Sequence, residues 1–144
     1  MSHVNPTDDT LRTLLTSATT IAMVGASANP EKASHGIMKQ MLAAGYRVIP
    51  VNPKETEVLG EKAYASLAEI PDRIDIVDVF RKSEDTPAIA DEAVAIGAKT
   101  LWLQLGVTSE DAATRAKAGG LTVIMDKCIG ATHQALGIPA KGAS

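Results

Sequence analysis

The chain is poor in the residues that staple or anchor many small proteins: in 144 residues it has one cysteine, one tryptophan, one phenylalanine and two tyrosines. A single thiol, Cys128, excludes an intramolecular disulfide, and a lone cysteine is easiest to keep reduced inside the cell. The scarcity of aromatics leaves the core to Ala, Val, Ile and Leu. No apolar run approaches the roughly 18 residues that a membrane-spanning helix requires. The opening MSHVNPTDDT has neither a charged n-region nor an apolar h-region. A cytoplasmic location is expected. A dominant charge is missing too, with 14 Lys and Arg against 17 Asp and Glu and a net charge of −3. That balance is too weak and too mixed for a nucleic-acid surface or an anionic membrane. The expected partner is a small molecule, with room for a homodimer or a protein partner.

What is present reads as one domain, residues 1–144, at the commonest domain size. Residues 7–17 form a leading helix, capped by Thr7 and Asp8 and apolar at Leu11, Leu14 and Leu15, expected to pack on the edge of a sheet. Residues 20–24 are a continuous apolar run, as in a parallel strand buried on both faces. A helix over 34–44 follows, closed by Gly45. A second strand over 46–51 ends at Asn52-Pro53, because proline cannot donate to a ladder. Residues 54–71 carry little regular structure beyond a helical patch at 66–70. Strands at 74–80, 99–104 and 121–125 then alternate with helices at 84–96, 109–118 and 129–136. This order predicts a Rossmann-like three-layer α/β domain whose parallel sheet has at least five strands and helices on both faces. The tail 139–144 is expected to be flexible.

In such a sheet a ligand lies beyond the carboxyl ends of the strands, where the strand order reverses. Gly25 permits a tight turn after the first strand, and the following helix offers free N–H groups and a positive dipole end to an anion. Ser27, Lys32 and Ser34 can add donors, and Lys54 and Arg81 stand at other predicted strand ends. Arg81 is the sharpest candidate, because a planar guanidinium suits a phosphate or a stacked adenine. A dinucleotide site of the NAD type normally has G-x-G-x-x-G and an acidic residue ending the second strand. Here the loop is Gly25-Ala26-Ser27-Ala28-Asn29-Pro30, and the second strand ends Val51-Asn52-Pro53.

Several short motifs stand in order along residues 15–136: Val24-Gly-Ala-Ser27, Ser34-His-Gly36, Gly45-Tyr-Arg-Val-Ile-Pro-Val-Asn-Pro53, Leu59-Gly60 and Tyr64-Ala-Ser-Leu67. They continue with Val77-Asp-Val-Phe-Arg81, Trp102-Leu-Gln-Leu-Gly-Val107, and Met125-Asp-Lys-Cys128 with His133. In these the chain resembles the small CoA-binding proteins of the YccU type, which are similar to the CoA-binding domain of the succinyl-CoA synthetase α subunit. The resemblance implies coenzyme A as ligand. It places the phosphates at Gly25, Ala26, Ser27 and Ser34, and the adenosine phosphates beside Asn52, Pro53 and Lys54. Val79, Phe80, Arg81 and Gln104 would then line the adenine and pantetheine path.

The chain is too short to hold the histidine domain and the nucleotide-binding partner that succinyl-CoA synthetases use, so ligase activity is not expected of it alone. Cys128 and His133 are five residues apart, a poor fit to the spacing of one helix face. His35 reads as a phosphate contact or local cap, and three scattered histidines with one cysteine form no metal site. No complete catalytic set is present, and the expected function is non-catalytic binding of CoA or an acyl-CoA. Two alternatives stay open: an NAD(P)-binding protein, and a thiol-regulated protein in which Cys128 forms a mixed disulfide with CoA.

Overall fold

The structure is a computed structural model that describes residues 2–141. Its elements are α1 (Asp8–Ser17), β1 (Thr20–Val24), α2 (Ala33–Ala43), β2 (Arg47–Val51), β3 (Glu57–Val58), β4 (Glu61–Lys62), β5 (Ile76–Val79), α3 (Thr86–Ala95), β6 (Thr100–Leu103), α4 (Glu110–Ala118), β7 (Thr122–Ile124) and α5 (Ile129–Ala135). Five strands form a parallel sheet in the order β2-β1-β5-β6-β7. The expected α/β architecture is the observed one.

The period of two along each strand sorts the core into two layers. Ala22, Val24, Ile49, Val77 and Leu101 face one way, against Ala90 and Ala93 of α3 and Ala112 and Ala116 of α4. Ile21, Met23, Val48, Ile76 and Trp102 face the other way, against Leu11 and Leu15 of α1, Met38 and Met41 of α2, and Ile129 of α5. Small alanines let α3 and α4 approach closely. The single Trp is wholly buried and donates its indole N–H to the Lys127 carbonyl at 2.9 Å.

Three expectations are corrected. α1 crosses a face of the sheet and does not lie on its edge. Just before it, Asn5 exchanges hydrogen bonds of 2.8 and 2.9 Å with Met125 beyond β7, and near its end the Leu15 carbonyl accepts from the Tyr46 hydroxyl beside β2. The connection 54–71 holds the small antiparallel pair β3-β4 and a single 3-10 turn at Leu67–Glu69, closed by a capping box between Ser66 and Glu69. The tail is docked at its start, where the Lys141 amide donates to the Ala44 carbonyl at 2.7 Å and its ammonium stands 5.0 Å over the Tyr46 ring. The rest of that expected flexible tail, 142–144, lies outside the described residues. Among those described, no helix is long and apolar enough to cross a membrane.

Candidate functional site

The strand order reverses between β1 and β5, so the chain leaves β1 towards α2 on one face and β5 towards α3 on the other. The two loops part there and leave a crevice. Gly25 holds its floor together: its φ is +88°, its N–H donates to the Val51 carbonyl at 2.9 Å, and the Phe80 amide donates to Val24 at 2.8 Å. Three clefts radiate from this point, and Arg81 lines all of them.

The first cleft, about 590 Å³, is polar and is lined by Gly25, Ser27, Lys32, Ala33, Ser34, Asn52, Pro53, Lys54, Phe80 and Arg81. It brings together most of the residues singled out in the sequence. The residue before α2 is Lys32, whose side chain makes no capping hydrogen bond; the His35 amide donates to the Lys32 carbonyl at 3.1 Å, and the amides of Ala33 and Ser34 are left for another acceptor. Those amides, the helix dipole and three cations converge on one space. Asn52 has a bracing role: its Nδ2 donates to the Ala26 carbonyl at 2.8 Å, while its Oδ1 accepts from the Lys54 amide at 2.9 Å. It thereby ties the β1 loop to the β2 turn. Glu55 accepts the Ala28 amide in the same loop, a carboxylate that sequence reasoning passed over.

The second cleft, about 800 Å³, is overwhelmingly apolar and is lined by Ala33, Gly36, Ile37, Phe80, Arg81, Lys82, Gln104, Leu105, Val107 and Cys128. Its rim is fixed by Asp126, at φ +58°, whose carboxylate accepts the Gly106 amide at 2.7 Å and joins the β6 and β7 loops. Gln104 is buried and hydrogen-bonded at both ends of its carboxamide. Its Nε2 donates to Asp78, and its Oε1 accepts from the Ile129 amide at 3.2 Å. Burial, outweighing the hydrogen bond from Gln104, pushes the Asp78 carboxyl up to about 8.

The third cleft, about 410 Å³, runs along α3 from Val51 and Pro53 to Ser66, Glu84, Asp85 and Glu92. Arg81 forms a 3.1 Å ion pair with Asp85 at its mouth.

Two of the sequence candidates line none of the three clefts: Ala26 and Val79 are wholly buried in the core. His35 is half-buried and outside the lining of all three clefts. Cys128 lines the apolar cleft and its sulfur accepts from the Ala131 amide at 3.4 Å. His133 packs edge-on to Tyr46, with centroids 5.8 Å apart, and shares no hydrogen bond with Cys128. Desolvation, with help from the Lys141 ammonium, holds its imidazole below the ordinary histidine range. Sequence reasoning missed Gly36, Ile37, Leu105 and Val107. The one available signal was Leu105, a large apolar residue in a strand-end turn.

Comparison with known proteins gives this geometry a family. A CoA binding domain model matches residues 19–134. The Bacillus subtilis protein YneT is 45% identical over 129 residues, spanning 90% of this chain and 96% of its own length. The I subunit alpha of the ADP-forming acetate–CoA ligase of Pyrococcus furiosus is 36% identical over 87 residues, covering 56% of this chain and only 19% of that subunit. A solved structure of a Pyrococcus horikoshii protein superposes with a TM-score of 0.89 at 39% identity, covering 94% of this chain and 99% of its own. The chain therefore belongs to the CoA binding domain family.

Proposed function

We propose that this chain binds coenzyme A in the three converging clefts and performs no chemistry on it by itself. The observation that carries this reading is the junction of a cationic cleft at a helix N-terminus with a large apolar one, both reached from Arg81. Coenzyme A has the same division, an anionic pyrophosphate and 3′-phosphate at one end and a long, uncharged arm at the other. Its phosphates fit among Lys32, Ser34, Lys54 and the amides of α2, where anions are stabilised by the dipole. The adenine fits the cleft along α3, whose carboxylates suit an amino group and would repel a phosphate. The pantetheine arm runs past Phe80 and Gln104. The relatives that bear a ligase name are several times longer than this chain, and the chain's own catalytic candidates, Cys128 and His133, are not joined.

The reading is tested by thermal shift and calorimetry with coenzyme A, NADH, NADP and ATP. Coenzyme A at 100 times its Kd should stabilise the protein by about 2.7 kcal/mol. NADH is the telling competitor, because β2 is followed by Asn52 where an acidic side chain would hold the ribose hydroxyls. Saturable micromolar NADH binding with none for coenzyme A would overturn the proposal.

A further inference from the structure

We propose that the physiological ligand is an acyl thioester of coenzyme A with an uncharged acyl chain, and that the chain lies against Gly36, Ile37, Leu105 and Val107. This rests on the coenzyme A reading and names the class of ligand for the same site. The apolar cleft and the phosphate cleft are continuous, sharing Ala33, Phe80 and Arg81 in their linings. An arm that starts at the phosphates therefore enters the apolar cleft from that side. In the wall the Gln104 carboxamide already donates to Asp78 and accepts from the Ile129 amide, and the other polar side chains are the Cys128 thiol and the cations Arg81 and Lys82. Where the cleft reaches Leu105 its wall is hydrocarbon, and Leu105 is 73% exposed. That side chain contributes almost nothing to the core, and a chain laid against it would remove both from water. The cleft does not stop there: Leu105 and Cys128 also line a groove of about 490 Å³ that runs along α5 to Ala135 and Leu136. Space for an acyl chain thus continues beyond the apolar cleft, along Leu105, Ala131, Ala135 and Leu136. Arg81 and Lys82 line the apolar cleft, but the groove beyond it carries Asp8 and Asp126 against the single cation Lys127, so an acyl carboxylate would meet a net negative charge there.

The test is a calorimetric series with coenzyme A and its acetyl, butanoyl, hexanoyl, octanoyl and succinyl thioesters. Affinity should rise about two- to fourfold per methylene along the straight chains, the upper figure corresponding to complete burial. Succinyl-CoA should bind more weakly than butanoyl-CoA, which has the same number of acyl carbons and no carboxylate to desolvate. Gly36→Leu provides the steric check, since a Cβ at Gly36 meets no atom within 4 Å and the helix accepts leucine readily. In that variant the ratio of hexanoyl-CoA to coenzyme A affinity should fall to one or below. Coenzyme A bound with affinity flat along the series, a preference for succinyl-CoA, or an unchanged ratio in Gly36→Leu would each overturn the proposal while leaving coenzyme A binding intact. Failure of every compound to bind would overturn both readings.

Discussion

Gln104 donates its carboxamide N–H to Asp78, an acid with no exposure to solvent in the middle of the sheet. The other carboxylate oxygen, Oδ2, has no hydrogen-bond partner among the described residues. Desolvation therefore dominates, and the folded protein releases this proton only near pH 8, against an ordinary value of 3.8. Between those two values the unfolded chain binds fewer protons than the folded one, so stability falls as pH rises through that window, by up to about 1.4 kcal/mol per pH unit. Asp78→Asn keeps the shape without the charge. Denaturant midpoints for this variant should exceed those of the parent above pH 8 and slope less steeply between pH 5 and 8. Identical slopes would show that Asp78 is not held protonated.

Asp75 shows the opposite sign. Although partial burial raises its pKa, hydrogen bonds from the amides of Thr19 and Thr20, the Thr19 hydroxyl and the charge of Lys99 bring it below its ordinary value. Its contribution is present above about pH 4 and disappears as acid protonates it. Asp75→Asn should flatten the acid limb of the stability curve, with stability above pH 6 lower than the parent's but running parallel to it. A parent-like acid limb in that variant counts against this role.

At Gly25 a side chain meets backbone. A Cβ there would stand 2.3 Å from the Phe80 carbonyl oxygen, at a φ of +88°. Gly25→Ala should lose about 1–2 kcal/mol from the left-handed conformation alone, and more from the forced separation of β1 and β5. Gly25 variants therefore report on folding before they report on ligand. Chemical denaturation of Gly25→Ala beside Gly36→Ala is the check, with the second expected to be at least as stable as the parent. Equal stability of Gly25→Ala and the parent would refute the close approach.

The strands and helices were legible in the sequence because each stretch obeys one local rule. The run Thr20-Ile-Ala-Met-Val24 is too apolar for a surface strand, and Ser109 caps α4 through the Ala112 amide at 3.0 Å, as its position before that helix implied. α1 was misplaced because an amphipathic pattern says which face is buried and not against what; that was decided by Asn5 and Met125, 120 residues apart. The cationic cleft could be foreseen, since glycine turns and strand-end cations are sequence features. The apolar cleft could not, because Ile37 comes from α2 and Leu105 and Val107 from the loop after β6, and no local pattern joins the two.

Arg81 offers the sharpest test of the site. It borders all three clefts, its side chain is 46% exposed, and its one ion pair is with Asp85 four residues on. A partly exposed pair of this kind is worth no more than about 1 kcal/mol, so a ligand phosphate can draw the guanidinium away. A hydrogen bond to a charged group contributes about 1.5–3 kcal/mol, and Arg81→Ala should weaken coenzyme A about tenfold or more. Arg81→Lys should also lose affinity, because an ammonium keeps the charge without the planar donors. Asp85→Asn should act in the other direction, tightening binding by removing the competing carboxylate. Salt separates these effects from a general loss of fold: the contact is screened over about 8 Å at physiological ionic strength, so the logarithm of affinity should fall less steeply with salt in Arg81→Ala than in the parent. Equal affinities and equal salt slopes for the two would show that Arg81 is a solvated strand-end residue, leaving the phosphates to Lys32, Lys54 and the amides of α2.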